Sequence, residues 1–71
     1  MSELECVFLD LDELEAMRLC DYENLDQTEA SKKMEISRGT LQRILYSARK
    51  KVIDALINSK AININNIKDN T

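Results

Sequence analysis

Residues 27–44 read QTEASKKMEISRGTLQRI, and this stretch decides the fold that we expect. It has the pattern of a short helix, a turn of about three residues and a second helix. Ser31 is small enough to lie where the two helices cross, and Ser37 is placed to cap the second helix. The apolar residues that would fill the space between them are Met34, Ile36, Leu41 and Ile44. The stretch therefore predicts a helix-turn-helix.

Capping residues and apolar periodicity extend this prediction to three helices, over about 11–22, 27–34 and 38–58. Asp10 and Asp26 each precede a glutamate by three residues, as in a capping box. The third helix has the clearest apolar stripe, at steps of three and four residues: Leu41, Ile44, Leu45, Ala48, Val52, Ala55 and Leu56. In the first helix we expect Leu11, Leu14, Met17 and Leu19 to pack and Asp12, Glu13 and Glu15 to face water.

The two ends of the chain look extended. Residues 4–9 are rich in strand-forming side chains, and residues 62–65 alternate apolar with polar. A small β-ribbon is therefore possible, within one chain or between two. The predicted fold is all-α, a three-helix helix-turn-helix bundle with short extended terminal segments, in a single domain over 1–67 followed by a disordered tail at 68–71.

The charge is strongly polarised along the 71 residues, although the formal net charge is only -3. Residues 1–30 contain ten acids and one base, whereas residues 31–60 contain eight bases and two acids. The chain has no histidine, and Cys6 and Cys20 lack metal-ligand spacing, so we expect no metal, no cofactor and a reduced, cytoplasmic protein. The acidic N-terminus has no long apolar run, which argues against a signal peptide or a membrane span.

If the helix-turn-helix forms, the first turn of the third helix would meet base edges in a major groove. Arginine pairs with guanine, glutamine with adenine, and threonine contacts thymine or donates a hydrogen bond. The glycine would either allow a close backbone approach or only relax the first turn, and the start of the second helix would face a phosphate. The expected DNA-binding residues are Gln27, Thr28, Ser37, Arg38, Gly39, Thr40, Gln42, Arg43, Tyr46, Arg49 and Lys50. Arg49 and Lys51 have an alternative role, which is to shield the apolar stripe.

Five segments carry a resemblance to a known family: LDELEAMRL at 11–19, QTEA at 27–30, MEISRGT at 34–40, ILYSARKKV at 44–52 and ALIN at 55–58. From Glu3 to about Ile64 the chain resembles the predicted DNA-binding proteins grouped as domain of unknown function 134, which are similar to region 4 of sigma-70 factors. The resemblance implies a helix-turn-helix that binds DNA. The family's usual turn glycine is Glu35 here, so a positive φ at this position would be strained. The family's leading basic, cysteine-containing stretch is absent, and no contact made by it is carried over.

The sequence lacks the parts of an enzyme, because it has no histidine, no glycine-rich loop and no nucleophile beside a base. We expect sequence-specific binding of double-stranded DNA by a transcriptional regulator, acting as a homodimer on paired half-sites. The alternative is a protein-interaction module that uses the same fold for docking or dimerisation, with the acidic residues 1–30 as its docking surface. No membrane or small-molecule partner is expected.

Overall fold

The computed structural model describes residues 5–65 and contains three helices and a small two-stranded parallel sheet. The elements follow the chain in this order: β1 (Cys6–Asp10), α1 (Leu11–Met17), a π-helical segment (Arg18–Tyr22), α2 (Gln27–Met34), α3 (Arg38–Asn58) and β2 (Ala61–Asn65). The predicted bounds of the second and third helices are confirmed. The predicted tail at 68–71 and the ends of the predicted domain lie outside the described residues. No helix among residues 5–65 has the length and apolarity needed to cross a membrane.

The first helix differs from its prediction in its second half. It is α-helical only to Met17 and continues to Tyr22 as a π-helix. The Glu23 N–H accordingly donates to the carbonyl of Arg18, five residues earlier, at 2.9 Å. This wider turn lets the Arg18 guanidinium contact Glu23 as well as Glu15, at 2.7 and 2.8 Å.

The core lies where the three helices meet, and it is small. Leu41 and Leu45 of α3 are its largest fully buried side chains, and Ala16, Leu19 and Ala30 pack with them. Three predicted core positions are wrong: Leu11 and Leu14 are 43% and 40% exposed, and Leu56 is 68% exposed. Leu56 lies near the end of α3, beyond the reach of α1 and α2, so its place on the stripe does not bury it.

Glu13 was expected to face water, and this expectation is wrong because the side chain is buried. Its carboxylate accepts hydrogen bonds from Lys51 Nζ at 2.8 Å, from Ser47 Oγ at 2.6 Å and from the Asp10 N–H at 2.9 Å. Burial raises the pKa of Glu13, but these hydrogen bonds and the Lys51 charge outweigh it and leave the pKa below its usual value. Glu13 therefore joins α1 to α3 as a buried anion.

The β-ribbon forms within one chain, which is one of the two possibilities left open by the sequence. β1 and β2 run parallel, with Cys6 beside Ala61 and Leu9 beside Ile64. The Ala61 N–H donates to the Glu5 carbonyl at 2.8 Å, where β2 enters the pair. On the other side of β1, Lys51 Nζ donates to the Phe8 carbonyl at 2.9 Å. The side chains of Lys51 and Glu13 thus occupy the outer edge of β1.

Three residues, 35–37, connect α2 to α3. Glu35 ends α2 in the left-handed region, with φ 60° and ψ 43°, and the Ile36 N–H donates back to the Ser31 carbonyl at 3.0 Å. The positive φ anticipated for this position is therefore present, on a residue that carries a Cβ. Ser31 is buried beside the turn, and its Oγ donates to the Thr28 carbonyl at 2.9 Å.

Candidate nucleic-acid interface

The first turn of α3 is held by Ser37, as its sequence predicts. Ser37 Oγ accepts a hydrogen bond from the Thr40 N–H at 3.1 Å and donates to Thr40 Oγ1 at 2.9 Å. The two side chains therefore cap the helix together, and Thr40 is only partly exposed. Either residue would have to exchange this local hydrogen bond for one to DNA.

The predicted contact residues Arg38, Gly39, Gln42, Arg43, Tyr46 and Lys50 are all exposed. Positions 39, 42, 43, 46 and 50 recur at three- and four-residue steps and so share one face of α3. The opposite face carries the buried residues Leu41, Leu45 and Ala48. We call the exposed surface formed by Gly39, Gln42, Arg43, Tyr46 and Lys50 the outer face of α3.

An open groove is lined by Gln42, Tyr46 and Lys50 of this outer face and by Gln27 of α2. Its lining also includes Arg49, Ile53, Asp54 and Ile57 of α3. A Cβ built on Gly39 would meet nothing within 4 Å. The protein's own packing therefore does not require a glycine at this position. Tyr46, at 70% exposure, presents most of its ring to solvent.

The cations in the described part of the chain fall into two groups, those that form an ion pair with the protein and those that do not. Arg18, Arg49, Lys51 and Lys60 each contact a carboxylate of the protein within 4 Å. In the described part of the chain, 5–65, the cations without such a contact are Lys32, Lys33, Arg38, Arg43 and Lys50. Within residues 5–65, the unpaired cations thus lie between the last turn of α2 and the middle of α3.

Among the predicted contact residues, Arg49 is the one that forms an ion pair with a carboxylate of the protein. Its Nη2 lies 2.6 Å from Asp21 Oδ1, and this hydrogen bond raises the pKa of Arg49. Lys51, for which shielding was the alternative role, is bound to Glu13 and the Phe8 carbonyl. The participation of Arg49 in an interface stays a prediction.

The start of α2 is less favourable to an anion than its sequence suggested. Asp26 caps this helix by accepting a hydrogen bond from the Glu29 N–H at 2.8 Å, so a carboxylate already occupies the end of the helix dipole. Gln27 is half-buried, and its Oε1 has no hydrogen-bond partner within residues 5–65. Thr28 is exposed. Any phosphate bound there would lie close to the negative charge of Asp26.

Two features were missed by the sequence reasoning. Lys32 and Lys33 are exposed in the last turn of α2, and their position just before the turn at 35–37 was the available signal. The far end of α3 is apolar and exposed, with Ile53 at 54%, Leu56 at 68% and Ile57 at 73%. The exposed surface of α3 therefore changes along the helix from polar and basic to apolar.

Comparison with known proteins identifies relatives that are named only as UPF0251 proteins. The chain is 53% identical over 64 residues to a UPF0251 protein of Thermoanaerobacter pseudethanolicus. The aligned region covers 90% of this chain and 54% of that protein. It is 57% identical over 60 residues to a UPF0251 protein of Methanosarcina mazei, covering 84% of this chain and 37% of the relative. The chain thus spans about half the length, or less, of the curated relatives it matches.

No solved structure matches the chain significantly. A family model described as "Protein of unknown function DUF134" matches residues 1–68. Because this match covers nearly the whole chain and the relatives exceed half identity, the chain belongs to the DUF134 family.

Proposed function

We propose that this protein binds double-stranded DNA through a helix-turn-helix formed by α2, the turn at 35–37 and α3. The outer face of α3 would enter the major groove, which is about 12 Å wide and admits a helix about 10–12 Å across. In this proposal the protein is a cytoplasmic transcriptional regulator. The likeness to region 4 of sigma-70 factors belongs to the same proposal.

The observation that carries the proposal is the segregation of unpaired cations. Lys32, Lys33, Arg38, Arg43 and Lys50 have no ion pair among residues 5–65, whereas Arg18, Arg49, Lys51 and Lys60 are bound to the protein's own acids. A cation needed only for solubility or for packing could lie anywhere on the surface. A cluster confined to the last turn of α2 and the exposed side of α3 fits the electrostatic footprint of a protein that neutralises phosphates.

The overall negative charge does not oppose this function. At physiological salt the Debye length is about 8 Å, so exposed charges beyond that distance are largely screened. Several of the acids are also neutralised in place, since Glu13, Glu15 and Asp21 are each bound to a cation. A phosphate at the outer face of α3 would therefore respond chiefly to Arg38, Arg43 and Lys50.

The side chains of this face divide into those suited to contact DNA bases and those suited to contact the DNA backbone. Gln42 and Arg43 follow the first turn and offer the paired donors and acceptors that recognise adenine and guanine edges. Lys50 lies two turns further along the same face and suits a phosphate, which would add affinity without sequence preference. Arg38, at the first position of α3, is exposed and free to serve either role.

A direct test compares Arg43→Ala with Arg18→Ala by fluorescence anisotropy on a pool of random-sequence duplexes. Both changes remove one arginine and alter the net charge equally, but Arg18 is held by Glu15 and Glu23 on another helix. We expect Arg43→Ala to weaken binding about tenfold and Arg18→Ala to leave it nearly unchanged.

The salt dependence of the same binding provides a second measurement. Each phosphate contact contributes a slope of about -0.9 to log K against log salt, so Lys50→Ala, which removes the expected phosphate contact, should reduce the slope by about one, whereas Arg43→Ala, which removes a base contact, should change it less. Equal effects of Arg43→Ala and Arg18→Ala on affinity would mean that only net charge matters, and absence of salt-sensitive binding by the unmodified protein would refute the proposal. In that case docking to a protein through the acidic residues 1–30 becomes the better explanation.

A further inference from the structure

Within residues 5–65, side chains form hydrogen bonds with the outer edge of β1 but not with the outer edge of β2. The outer edge of β1 is occupied, because Lys51 Nζ donates to the Phe8 carbonyl and the Glu13 carboxylate accepts from the Asp10 N–H. Along a strand, successive residues direct their N–H and C=O groups to alternate sides. Since Ala61 faces β1 through its bond to Glu5, Ile62 and Ile64 direct their peptide groups away from it.

Among residues 5–65, no helix or side chain binds to the outer edge of β2. Its residues, Ala61–Asn65, include no charge, no proline and no glycine. The peptide groups of Ile62 and Ile64 point toward that edge, and within residues 5–65 nothing forms a hydrogen bond with them there. An open edge of this kind is a template for the addition of another strand.

The side chains at this edge are also incompletely covered. The register places Ile62 beside Val7 and Ile64 beside Leu9, so all four side chains lie on one face of the sheet. Leu9 is only 3% exposed, but Ile62 and Ile64 are each 41% exposed. The apolar layer under the sheet therefore continues past the helices that cover it. A parallel pair of strands is usually buried on both sides, and two strands alone are marginally stable.

We propose that β2 of a second copy of this chain pairs antiparallel with β2 along this edge, producing a four-stranded sheet in the order β1, β2, β2, β1. The proposal does not depend on DNA binding. A two-fold axis beside Asn63 would set Ile62 opposite Ile64 of the second copy and Ile64 opposite its Ile62. Both are residues whose peptide groups point outward, so each pair can exchange two hydrogen bonds.

The sequence of β2 favours a second copy over an unrelated strand. The segment reads AININ, so reversing it about Asn63 again places an isoleucine opposite each isoleucine. The axis is perpendicular to the sheet in such a pair, which keeps all four isoleucines on the side of Leu9 and extends one apolar layer across both copies. Because β2 has no charge, the two edges approach without repulsion.

The first test uses a matched pair of variants, Ile64→Lys and Ile57→Lys, in sedimentation equilibrium. Both replace an exposed isoleucine with lysine, but Ile57 lies on α3, at 73% exposure, and is not part of β2. We expect the unmodified protein and Ile57→Lys to be dimers, and Ile64→Lys to dissociate at least tenfold more readily. Helix content measured by circular dichroism should be the same in all three. If the unmodified protein is a monomer, or if only Ile57→Lys dissociates, the β2 pairing is wrong.

A second test reports the register itself. In the proposed pair Asn63 faces Asn63 of the second copy across a non-hydrogen-bonded position, where Cα atoms lie about 4.5 Å apart. This distance is within the range that a disulfide spans, about 4.4–6.8 Å. In a Cys6→Ser background, Asn63→Cys should form a disulfide-linked dimer on mild oxidation, whereas Asn58→Cys, on the exposed end of α3, should not. Failure of Asn63→Cys to cross-link faster than Asn58→Cys would overturn the proposed register.

Discussion

Arg49 lies against Asp21, and its Nε and Nη2 donate two hydrogen bonds to the same carboxylate, at 3.1 and 2.6 Å. The two residues are 28 positions apart, and the contact joins the π-helical segment to the middle of α3. Both side chains are about half exposed, so the pair adds little to stability. The pair engages the guanidinium with a carboxylate of the protein, although Arg49 still lines the groove beside the outer face of α3.

Asp21→Asn should therefore strengthen DNA binding, because it releases Arg49 and removes a negative charge beside it. We expect an increase in affinity of about threefold to tenfold at low salt, with a loss of less than about 1 kcal/mol in the free energy of unfolding. Glu15→Gln is the control, since it makes the same change in charge beside Arg18. Anisotropy and urea unfolding measure the two quantities, and an equal rise in affinity in both variants would show that Arg49 plays no specific part.

Gly39→Ala separates the two roles that the sequence leaves open for this glycine. The added methyl group meets open space, so the change should stabilise α3 by about 0.5 kcal/mol. If DNA approaches the backbone closely at this point, affinity should fall about tenfold despite the gain in stability. Asn58→Ala, at the far end of α3, serves as the control for affinity. A stability gain with unchanged affinity would mean that Gly39 only relaxes the first turn.

Glu13→Gln should weaken the fold in a pH-dependent manner. At pH 7 we expect a loss of about 2 kcal/mol, because Lys51 and Ser47 lose a charged hydrogen-bond partner. The pKa of Glu13 is below its usual 4.5 in the folded protein, so its contribution is present above pH 4.5 and is lost as the pH falls through the lowered value. The stability difference between the two proteins should therefore shrink in acid.

Urea unfolding across pH 3–7 measures this difference. Glu23→Gln, which disturbs only an exposed contact to Arg18, should cost less than about 1 kcal/mol over the whole range. A constant difference between Glu13→Gln and the unmodified protein at every pH would exclude the buried anion as its cause.

Glu35→Gly should stabilise the protein by about 1 kcal/mol, because Glu35 has a φ of 60° that glycine adopts without strain. Glu35→Gln removes the charge but keeps the Cβ, so its stability should stay near that of the unmodified protein. If the turn lies near DNA, both variants should bind more tightly by a similar factor. Thermal unfolding and anisotropy distinguish the two effects, and equal melting temperatures for the two variants would argue against backbone strain.

The bounds of α2 and α3 could be predicted because their signals are local. Asp26 and Ser37 cap the helices through hydrogen bonds to residues three positions later, and the sequence displays both partners. The burial of Glu13 could not be predicted, since its partners Ser47 and Lys51 lie on another helix, 34 and 38 positions away. A carboxylate on an amphipathic helix ordinarily faces water, and only the packed fold shows a cation opposite it.

The features of the candidate site likewise divide into those that the sequence predicts and those that only the fold shows. The exposed face of α3 follows from helical periodicity, which places Arg43 and Lys50 opposite Leu41 and Leu45. The occupation of Arg49 by Asp21 depends on the π-helical turn, for which the sequence has no recognised pattern. The exposure of Leu56 likewise depends on where α1 and α2 stop covering α3. Contacts between distant segments therefore account for what the sequence alone did not reveal.

Asn65 donates a side-chain hydrogen bond to Asp10, 55 positions earlier in the chain. This long-range contact bears on the order in which the molecule folds. Closing so long a loop costs more conformational entropy than forming the contacts between neighbouring helices. The hydrogen bonds of the sheet offset this cost only after both strands are in place. We therefore expect α1, α2 and α3 to assemble in the rate-limiting transition state and the strands to join afterwards. Substitutions in β2 should then accelerate unfolding while leaving the refolding rate nearly unchanged.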